Sequence, residues 1–120
     1  MKQRRRTAEC ECPVVFSPQG GIDRQDNRWV ASELSVGDPL QLARLDRRGY
    51  EKGVVVSASD GRSCGWLFNW GNQRVDREGV ALHLERGGAV DARVEQFVDH
   101  AGKAFMIVRV TLHNWVELRG

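Results

Sequence analysis

The sequence predicts a mainly β protein: a small antiparallel β-barrel of the OB or SH3 type with one or two short helices. Between residues 36 and 67, polar and apolar residues alternate with period two, and turns that contain glycine interrupt the alternation. This pattern is typical of half-buried antiparallel strands. The chain has 120 residues, enough for one domain with a modest core. Closing the sheet into a barrel would remove its exposed edges.

Three strands are predicted in this region, near residues 39–45, 53–58 and 63–68. The first alternates, the second contains three consecutive valines, and a tight turn at residues 59–62 leads into the third. Because the connections are too short for parallel crossovers, we expect a consecutive antiparallel meander. The predicted core consists of Leu40, Leu42, Leu45 or Ala43, Val55 and Leu67, with Val94 and Val108 from later strands.

The predictions of the other elements are based on shorter sequence patterns. Residues 1–12 are predicted to be a basic and polar tail, and residues 13–120 a single domain. A short strand is expected at the start of that domain, over 12–16, followed by a loop and then an extended or short helical segment near Trp29. Two strands rich in β-branched residues are predicted at its end; they cover 89–98 and 104–112.

The segment from residue 69 to residue 86 is ambiguous. Val75, Gly79 and Leu82 recur at helical spacing, whereas Val80, Leu82 and Leu84 alternate as they would in a strand. Two glycines follow the segment, and a glycine after the last turn is a common helix stop. We favour a helix, and the strand stays open as the alternative.

The charge composition permits a nucleic-acid partner without requiring one. The net charge is +2, and arginine greatly outnumbers lysine among the 18 basic residues. Arginine binds phosphate bidentately and stacks on bases. A GC-rich genome would explain the same excess through codon usage.

No apolar run reaches the roughly 18 residues that a membrane span needs. The basic residues at the start of the chain are followed by a polar stretch, so we expect no signal peptide. The default compartment is then the cytoplasm, where cysteines stay reduced.

Cys10 and Cys12 suggest a metal site at first sight, with Cys64 and one of the three histidines, His83, His100 or His113, as further ligands. Structural zinc sites usually place paired cysteines two to four residues apart, and the sequence contains no second pair. We therefore expect reduced structural cysteines, no metal and no cofactor. No nucleophile elbow or glycine-rich phosphate loop is present either, so we do not expect an enzyme.

The order of these features resembles the HIRAN domain, a small β-barrel module that is attached to DNA repair helicases and nucleases and also occurs alone in bacteria. The resemblance covers residues 13–112. The family core contains a strand of alternating leucines ending in arginine, a turn with an aromatic–acidic pair, an apolar strand and a later Ala-x-Val strand. The matching positions are Gly37, 40–44, Tyr50, Glu51, 54–56, Gly61, 65–67, Gly87 and 92–94.

The resemblance implies a module that binds single-stranded DNA by its 3′ end in DNA repair or processing, serving a separately encoded nuclease or helicase. Tyr50 would contact the terminal nucleotide, and Glu51, which replaces the family's Asp, would accept from the 3′ hydroxyl. Basic side chains would bind phosphates. Trp66 would add a stacking face, or alternatively anchor the core. The implied binding residues are Tyr50, Glu51, Arg44, Arg47, Arg48, Lys52 and Trp66.

Two other functions stay open. A protein-interaction module on the same barrel would use some of the four tryptophans at an interface, where aromatic residues are enriched. A barrel that binds a cyclic dinucleotide is the weaker alternative, suggested only by the three arginines at positions 4–6.

Overall fold

The computed structural model describes residues 6–15, 29–45, 53–69, 75–100 and 103–115. Within these ranges the helices are too short and too polar to cross a membrane. The strands are β1 (Arg6–Val15), β2 (Pro39–Leu45), β3 (Gly53–Ala58), β4 (Ser63–Trp66), β5 (Val90–His100) and β6 (Lys103–Trp115), and the helices are α1 (Trp29–Glu33) and α2 (Arg77–Glu85).

These strands form an antiparallel sheet in the order β1-β6-β5-β2-β3-β4. The sheet curls until its two edges meet, where Val14 of β1 forms a bridge with Leu67, directly after β4. Beside that bridge, the Phe68 N–H donates to the carbonyl oxygen of Pro13 at 2.9 Å. The architecture is a half-barrel with two short helices, which confirms the mainly β prediction.

Strands β2, β3 and β4 form the predicted antiparallel meander. Leu42 lies opposite Val56, and Ala43 lies opposite Val55. Val54 and Val56 are completely buried on the inner face of the sheet. The expectation that Val55 belongs to the core was wrong, because it lies on the other face and is half-buried. A run of three valines is compatible with either register, and a shift of one residue exchanges the faces.

The inner face is filled by alternate side chains of the six strands. The predictions for four core residues, Leu40, Leu67, Val94 and Val108, are confirmed by their burial. Leu42 is partly buried and packs against this core. Of the two alternatives named with it, Ala43 is exposed, and the side chain of Leu45 lies outside the described part of the structure.

Strand β1 begins at Arg6, so residues 6–12 belong to the sheet, although they were assigned to the tail predicted for residues 1–12. Residues 1–5 lie outside the described part of the chain. The side chains of Cys10 and Cys12 point into the core and are buried. A buried thiol behaves as a small apolar group, so the two cysteines provide the apolar half of the alternation. The tail was predicted because most of residues 1–12 are basic or polar, and these include Glu9 and Glu11, the outward half of the same alternation.

The ambiguous segment contains helix α2, which confirms the helix favoured for it over the strand. Of the residues whose spacing suggested the helix, Val75 precedes it and Leu82 is exposed. The Asp76 side chain caps the helix and accepts a hydrogen bond from the Gly79 N–H at 3.0 Å. After the helix, Gly87 has a φ of 76°, which glycine adopts without strain. The helix packs across β2, β3 and β6. Its buried residues are Val80, Ala81 and His83.

The remaining elements lie close to their predicted positions. The segment around Trp29 is helical and forms α1. The last two strands form a hairpin and are longer than predicted: β5 runs to residue 100, and β6 runs from 103 to 115. A β-bulge between Val94 and Gln96 interrupts their register and redirects Glu95.

The junction between α2 and β5 is tightly packed around His83. Its Nε2 lies 3.1 Å from the carbonyl oxygen of Ala89. A Cβ atom added to Gly88 would overlap the imidazole ring. We therefore expect Gly88→Ala to lower the free energy of unfolding by about 1–3 kcal/mol, as overpacking does. Denaturant titration followed by circular dichroism measures this loss.

The same substitution in a His83→Ala background is the control. Without the ring, the three atoms nearest to the added methyl group are gone, so Gly88→Ala should cost less there. An equal loss of stability in both backgrounds would contradict the proposed overlap. It would show that the substitution destabilises the protein through the backbone conformation at residue 88.

Candidate nucleic-acid interface

Arg44 and Trp66 are the predicted binding residues that lie in the described part of the chain. The others, Tyr50, Glu51, Arg47, Arg48 and Lys52, lie outside it. The structure shows where the segment that contains these five residues joins the sheet, because Leu45 and Gly53 pair at the end of the β2–β3 ladder. Residues 46–52 thus connect, along the chain, two strand ends that are paired with each other; we call this segment with the flanking strand ends the β2–β3 hairpin.

Arg44 lies at the base of this hairpin. It is opposite Val54 and therefore on the inner face of the sheet. Its Nη1 atom is 3.2 Å from Oε1 of Glu85, and the two side chains are 30% and 47% exposed. The ion pair connects the hairpin base to the C-terminal end of α2. Because both groups contact water, the pair contributes at most about 1 kcal/mol and can exchange partners.

Trp66 lies on the opposite face of the sheet. It pairs with Val55, the outward-facing neighbour of Val54. Its side chain is only 7% exposed. Little of the ring is therefore open to a base, and the burial favours the alternative in which Trp66 anchors the fold. Arg44 and Trp66 do not face a common surface.

A second aromatic–cationic cluster joins α1 to the β3–β4 turn, and the sequence analysis missed it. The guanidinium carbon of Arg62 lies 4.0 Å from the ring centroid of Trp29. The same guanidinium binds the carboxylates of Glu33 and Asp60. Hydrogen bonds from the backbone N–H and side chain of Arg62 lower the pKa of Asp60. Only the tight turn was visible in the sequence, since Trp29 is far away along the chain.

The outer face of β1, β6 and β5 carries a charge network around Arg109. Its guanidinium contacts three carboxylates, those of Glu9 and Glu11 from β1 and of Glu95 from the β5 bulge, at 2.9–3.1 Å. On the same face, His113 Nε2 lies 2.7 Å from Oδ2 of Asp91. We call this surface the Arg109 face. Arg93, the cross-strand neighbour of Arg109, also lies on this face. The four carboxylates named here outnumber these two guanidinium groups, so the charge balance of the face is unfavourable for phosphate.

Hydrogen bonding within this network shifts the pKa values of its members. The hydrogen bond from Arg109 lowers the pKa of Glu95, and the positive charge of Arg109 acts in the same direction. Conversely, the hydrogen bond with Glu95 raises the pKa of Arg109. The bulge therefore positions Glu95 as the principal partner of Arg109.

The three cysteines are free thiols and are buried. The Sγ atoms of Cys10 and Cys12 lie 4.0 Å apart in the core. The hydrogen bond with Cys12, followed by burial, raises the pKa of Cys10. Burial raises the pKa of Cys64 to about 11. Among the residues that the structure describes, no three metal-ligating side chains form a cluster.

The start of α2 lies near the cysteine pair. The contact with Cys10 lowers the pKa of Cys12, and the charge of Arg77 acts in the same direction, against burial and Asp76. The Nε atom of Arg77 is buried and has no hydrogen-bond partner among the described residues. Its backbone N–H donates to Oδ1 of Asn69 at 2.8 Å.

The architecture defines a class of small antiparallel β-barrel modules with a helix packed across the sheet. It is similar to the crystal structure of the HIRAN domain of human HLTF, with a TM-score of 0.58 and 12% sequence identity over 88% of this chain and 74% of that chain. It is also similar to the crystal structure of a protein from Lactobacillus plantarum, with a TM-score of 0.60 and 14% identity over 92% of this chain and 100% of that chain. No protein-family model and no curated protein sequence matches. The structural comparison confirms the HIRAN resemblance at the level of the fold.

The lowered pKa of Glu95 predicts a pH-dependent contribution to stability. The contribution is present above the ordinary carboxyl pKa of 4.5 and is lost as the pH falls through the lower folded-state value. We therefore expect Glu95→Gln to lower the melting temperature at pH 7, with the difference from the native protein shrinking below pH 4.5. Thermal unfolding of both proteins across a pH series measures this difference in melting temperature.

Arg109→Gln supplies the matched background. Without the guanidinium, Glu95→Gln should leave the melting temperature nearly unchanged at every pH. A difference that persists at low pH, or in the Arg109→Gln background, would show that Glu95 acts through packing and not through the ion pair.

Proposed function

We propose that this chain is a non-enzymatic module that binds single-stranded DNA at the 3′ end, through the hairpin between β2 and β3. The observation that carries the proposal is the similarity of the fold to the HIRAN domain of human HLTF. Of the residues implied by the resemblance, Arg44 lies at the end of the β2–β3 ladder, and residues 47, 48 and 50–52 belong to the segment that connects these two strands. In this proposal the chain serves a separately encoded nuclease or helicase in DNA repair or processing, in the cytoplasm.

The distribution of charge supports the hairpin as the contact surface. Residues 44–52 contain four cations and two carboxylates. Arg86, an exposed residue at the C-cap of α2, follows the Glu85 partner of Arg44. On the Arg109 face, by contrast, carboxylates outnumber cations. Phosphate is therefore attracted to the hairpin end of the half-barrel and repelled from the outer face of β1, β5 and β6.

The chemistry assigned to the hairpin has two parts. Cationic side chains hold phosphates independently of sequence, and Tyr50 stacks on the terminal base, which contributes about 1–3 kcal/mol. The Glu51 carboxylate accepts a hydrogen bond from the free 3′ hydroxyl, which a 3′ phosphate cannot donate. Because Trp66 is mostly buried, Tyr50 carries most of the stacking in this proposal.

The interaction-module alternative has less support from the described aromatic residues. Trp29 and Trp115 are partly buried and pack against the core, and Trp66 is buried. The aromatic surface that an interface would use is thus largely covered in this part of the chain. The alternative becomes the preferred function if the intact protein binds no nucleic acid at low salt.

End recognition predicts an order of affinities. In fluorescence-anisotropy titrations, a single strand with a 3′ hydroxyl should bind more tightly than the same strand with a 3′ phosphate, and both more tightly than a blunt duplex. Affinity should fall as salt rises, since phosphate contacts release counterions. Tyr50→Ala should remove most of the end preference and leave the melting temperature nearly unchanged.

Arg47→Ala combined with Arg48→Ala is the control for sequence-independent and end-independent binding. This double variant should weaken all three ligands alike and flatten the salt dependence. Unfolding of Tyr50→Ala would assign that side chain to the structure of the hairpin. Equal affinity of the native protein for the three ligands would contradict end recognition.

The Arg44–Glu85 ion pair predicts that the affinity for single-stranded DNA rises when the charge of Glu85 is removed. Glu85 competes with phosphate for the Arg44 guanidinium, so Glu85→Gln should raise the affinity for single-stranded DNA about two- to fivefold at low salt. Glu78→Gln removes the same charge from the other end of α2 and should have a smaller effect. Equal effects of the two substitutions, or a loss with Glu85→Gln, would exclude Arg44 as a phosphate ligand.

A further inference from the structure

A β-bulge near the end of β6 turns Trp115 toward the interior of the half-barrel. Positions 113 and 114 of β6 lie opposite the single position 7 of β1, because the register shifts between positions 6 and 8. Asn114 has a φ of 57°, a left-handed conformation that asparagine tolerates. Trp115 therefore pairs with position 6, which is in phase with the inward-facing Cys10 and Cys12, and it packs against the core. Without the bulge, it would lie on the outer face with Arg109.

The interior of the half-barrel opens toward water at the end where Trp115 lies. Pairing across the sheet arranges the inward-facing side chains in rows. One of these rows is buried, and its members are Leu40, Ala92, Val110 and Cys10. In the next row toward the β2–β3 hairpin, Leu112 is buried, whereas three side chains are only partly buried: Leu42, Val90 and Ala8. Arg44 and Trp115 follow in the last row. We call the opening lined by these two partly buried rows the hairpin mouth.

The hairpin mouth combines an aromatic ring with cationic side chains. Strand β5 separates β2 from β6 in the sheet. Since adjacent strands lie about 4.8 Å apart, the backbones at Arg44 and Trp115 are about 10 Å apart. The ion pair of Arg44 with Glu85 is exposed and exchangeable, and the exposed Arg86 follows Glu85 in the chain. Sites for single strands use this combination, in which cations hold phosphates and an aromatic ring stacks on a base.

The open part of Trp115 suits a base better than a protein partner. The ring is partly buried because one side packs against the core. A stable protein interface buries about 800 Å² on each partner, which one partly buried side chain does not supply. A single base requires only one ring, and stacking tolerates any base because every base has a π-face.

We propose that Trp115 stacks on one base of a bound single strand at the hairpin mouth, next to the phosphate that Arg44 binds. This inference rests on the function proposed above and adds a second aromatic contact to that of Tyr50. Because Trp115 belongs to β6 and not to the β2–β3 hairpin, it contacts an internal nucleotide and not the terminal one. It therefore adds affinity without distinguishing a 3′ hydroxyl from a 3′ phosphate.

The test is a fluorescence-anisotropy titration with a series of single strands, each of which lacks one base at a successive position from the 3′ end. For the native protein, we expect one internal position at which loss of the base weakens binding about five- to tenfold. Trp115→Leu keeps an apolar side chain against the core. It should bind the complete strand about five- to tenfold more weakly, and the internal position should then have no effect. Trp115→Phe, which keeps a ring, should retain most of the native affinity.

Trp29→Leu is the matched control. Trp29 is also a partly buried tryptophan that packs against the core, but Arg62 covers its ring at the β3–β4 turn, at the opposite end of β3 from the hairpin. This variant should bind the complete strand as tightly as the native protein does. An equal loss in Trp29→Leu and Trp115→Leu would overturn the proposal, because the loss would then come from weakened packing.

Photochemical cross-linking of the native protein to strands that carry one 5-bromouracil requires no variant. A cross-link from an internal position to Trp115 would support the stacking even if Trp115→Leu fails to fold. Native affinity in folded Trp115→Leu, or cross-links from internal positions only to other residues, would overturn the Trp115 contact and leave the function proposed for the hairpin intact. If the native protein binds no single strand at low salt, both proposals are overturned.

Discussion

The meeting of the two sheet edges is the constraint on which the rest of the structure depends. A flat six-stranded sheet would expose its apolar face to water, and α2, a helix of nine residues, is too short to cover it. Curling brings Val14 against Leu67 and lets Phe68 donate to Pro13. The apolar side chains of all six strands then share one interior, where they are removed from water. Burial of that interior is the main stabilising contribution to the fold.

Curling also separates the chemistry of the two faces. Inner positions are occupied by aliphatic side chains and thiols, so charged groups can lie only on the outer face or at the open ends. On the outer face, Arg109 is surrounded by carboxylates from two other strands, and the charge balance of the surface is unfavourable for phosphate. At the end near the β2–β3 hairpin, Arg44 forms an exposed and exchangeable ion pair with Glu85. The proposed nucleic-acid contact therefore lies at this end of the half-barrel, where the sequence carries the basic residues of the β2–β3 connection.

The sequence predicted the elements that depend on local pattern and missed those that depend on distant contacts. Period-two alternation and glycine turns predicted the meander, and helical spacing predicted α2. The face of the sheet on which Val55 lies was predicted wrongly, because three consecutive valines do not show which of them point inward. The start of β1 was missed because most of residues 1–12 are basic or polar. Of the candidate site, Arg44 could be identified from the sequence, but its ion pair with Glu85 could not. The Arg62 and Arg109 clusters join residues far apart in the chain, and no short motif marks such a cluster.

Helix α2 determines the surroundings of Arg44. Its last residue, Glu85, binds the Arg44 guanidinium at the end of the β2–β3 ladder. The helix itself is fixed against the sheet by buried Val80, Ala81 and His83. The exposed ion pair contributes at most about 1 kcal/mol, so it cannot hold the helix in place. The packing of the helix therefore sets the position of Glu85, and Arg44 can leave Glu85 for another anion without disturbing the fold.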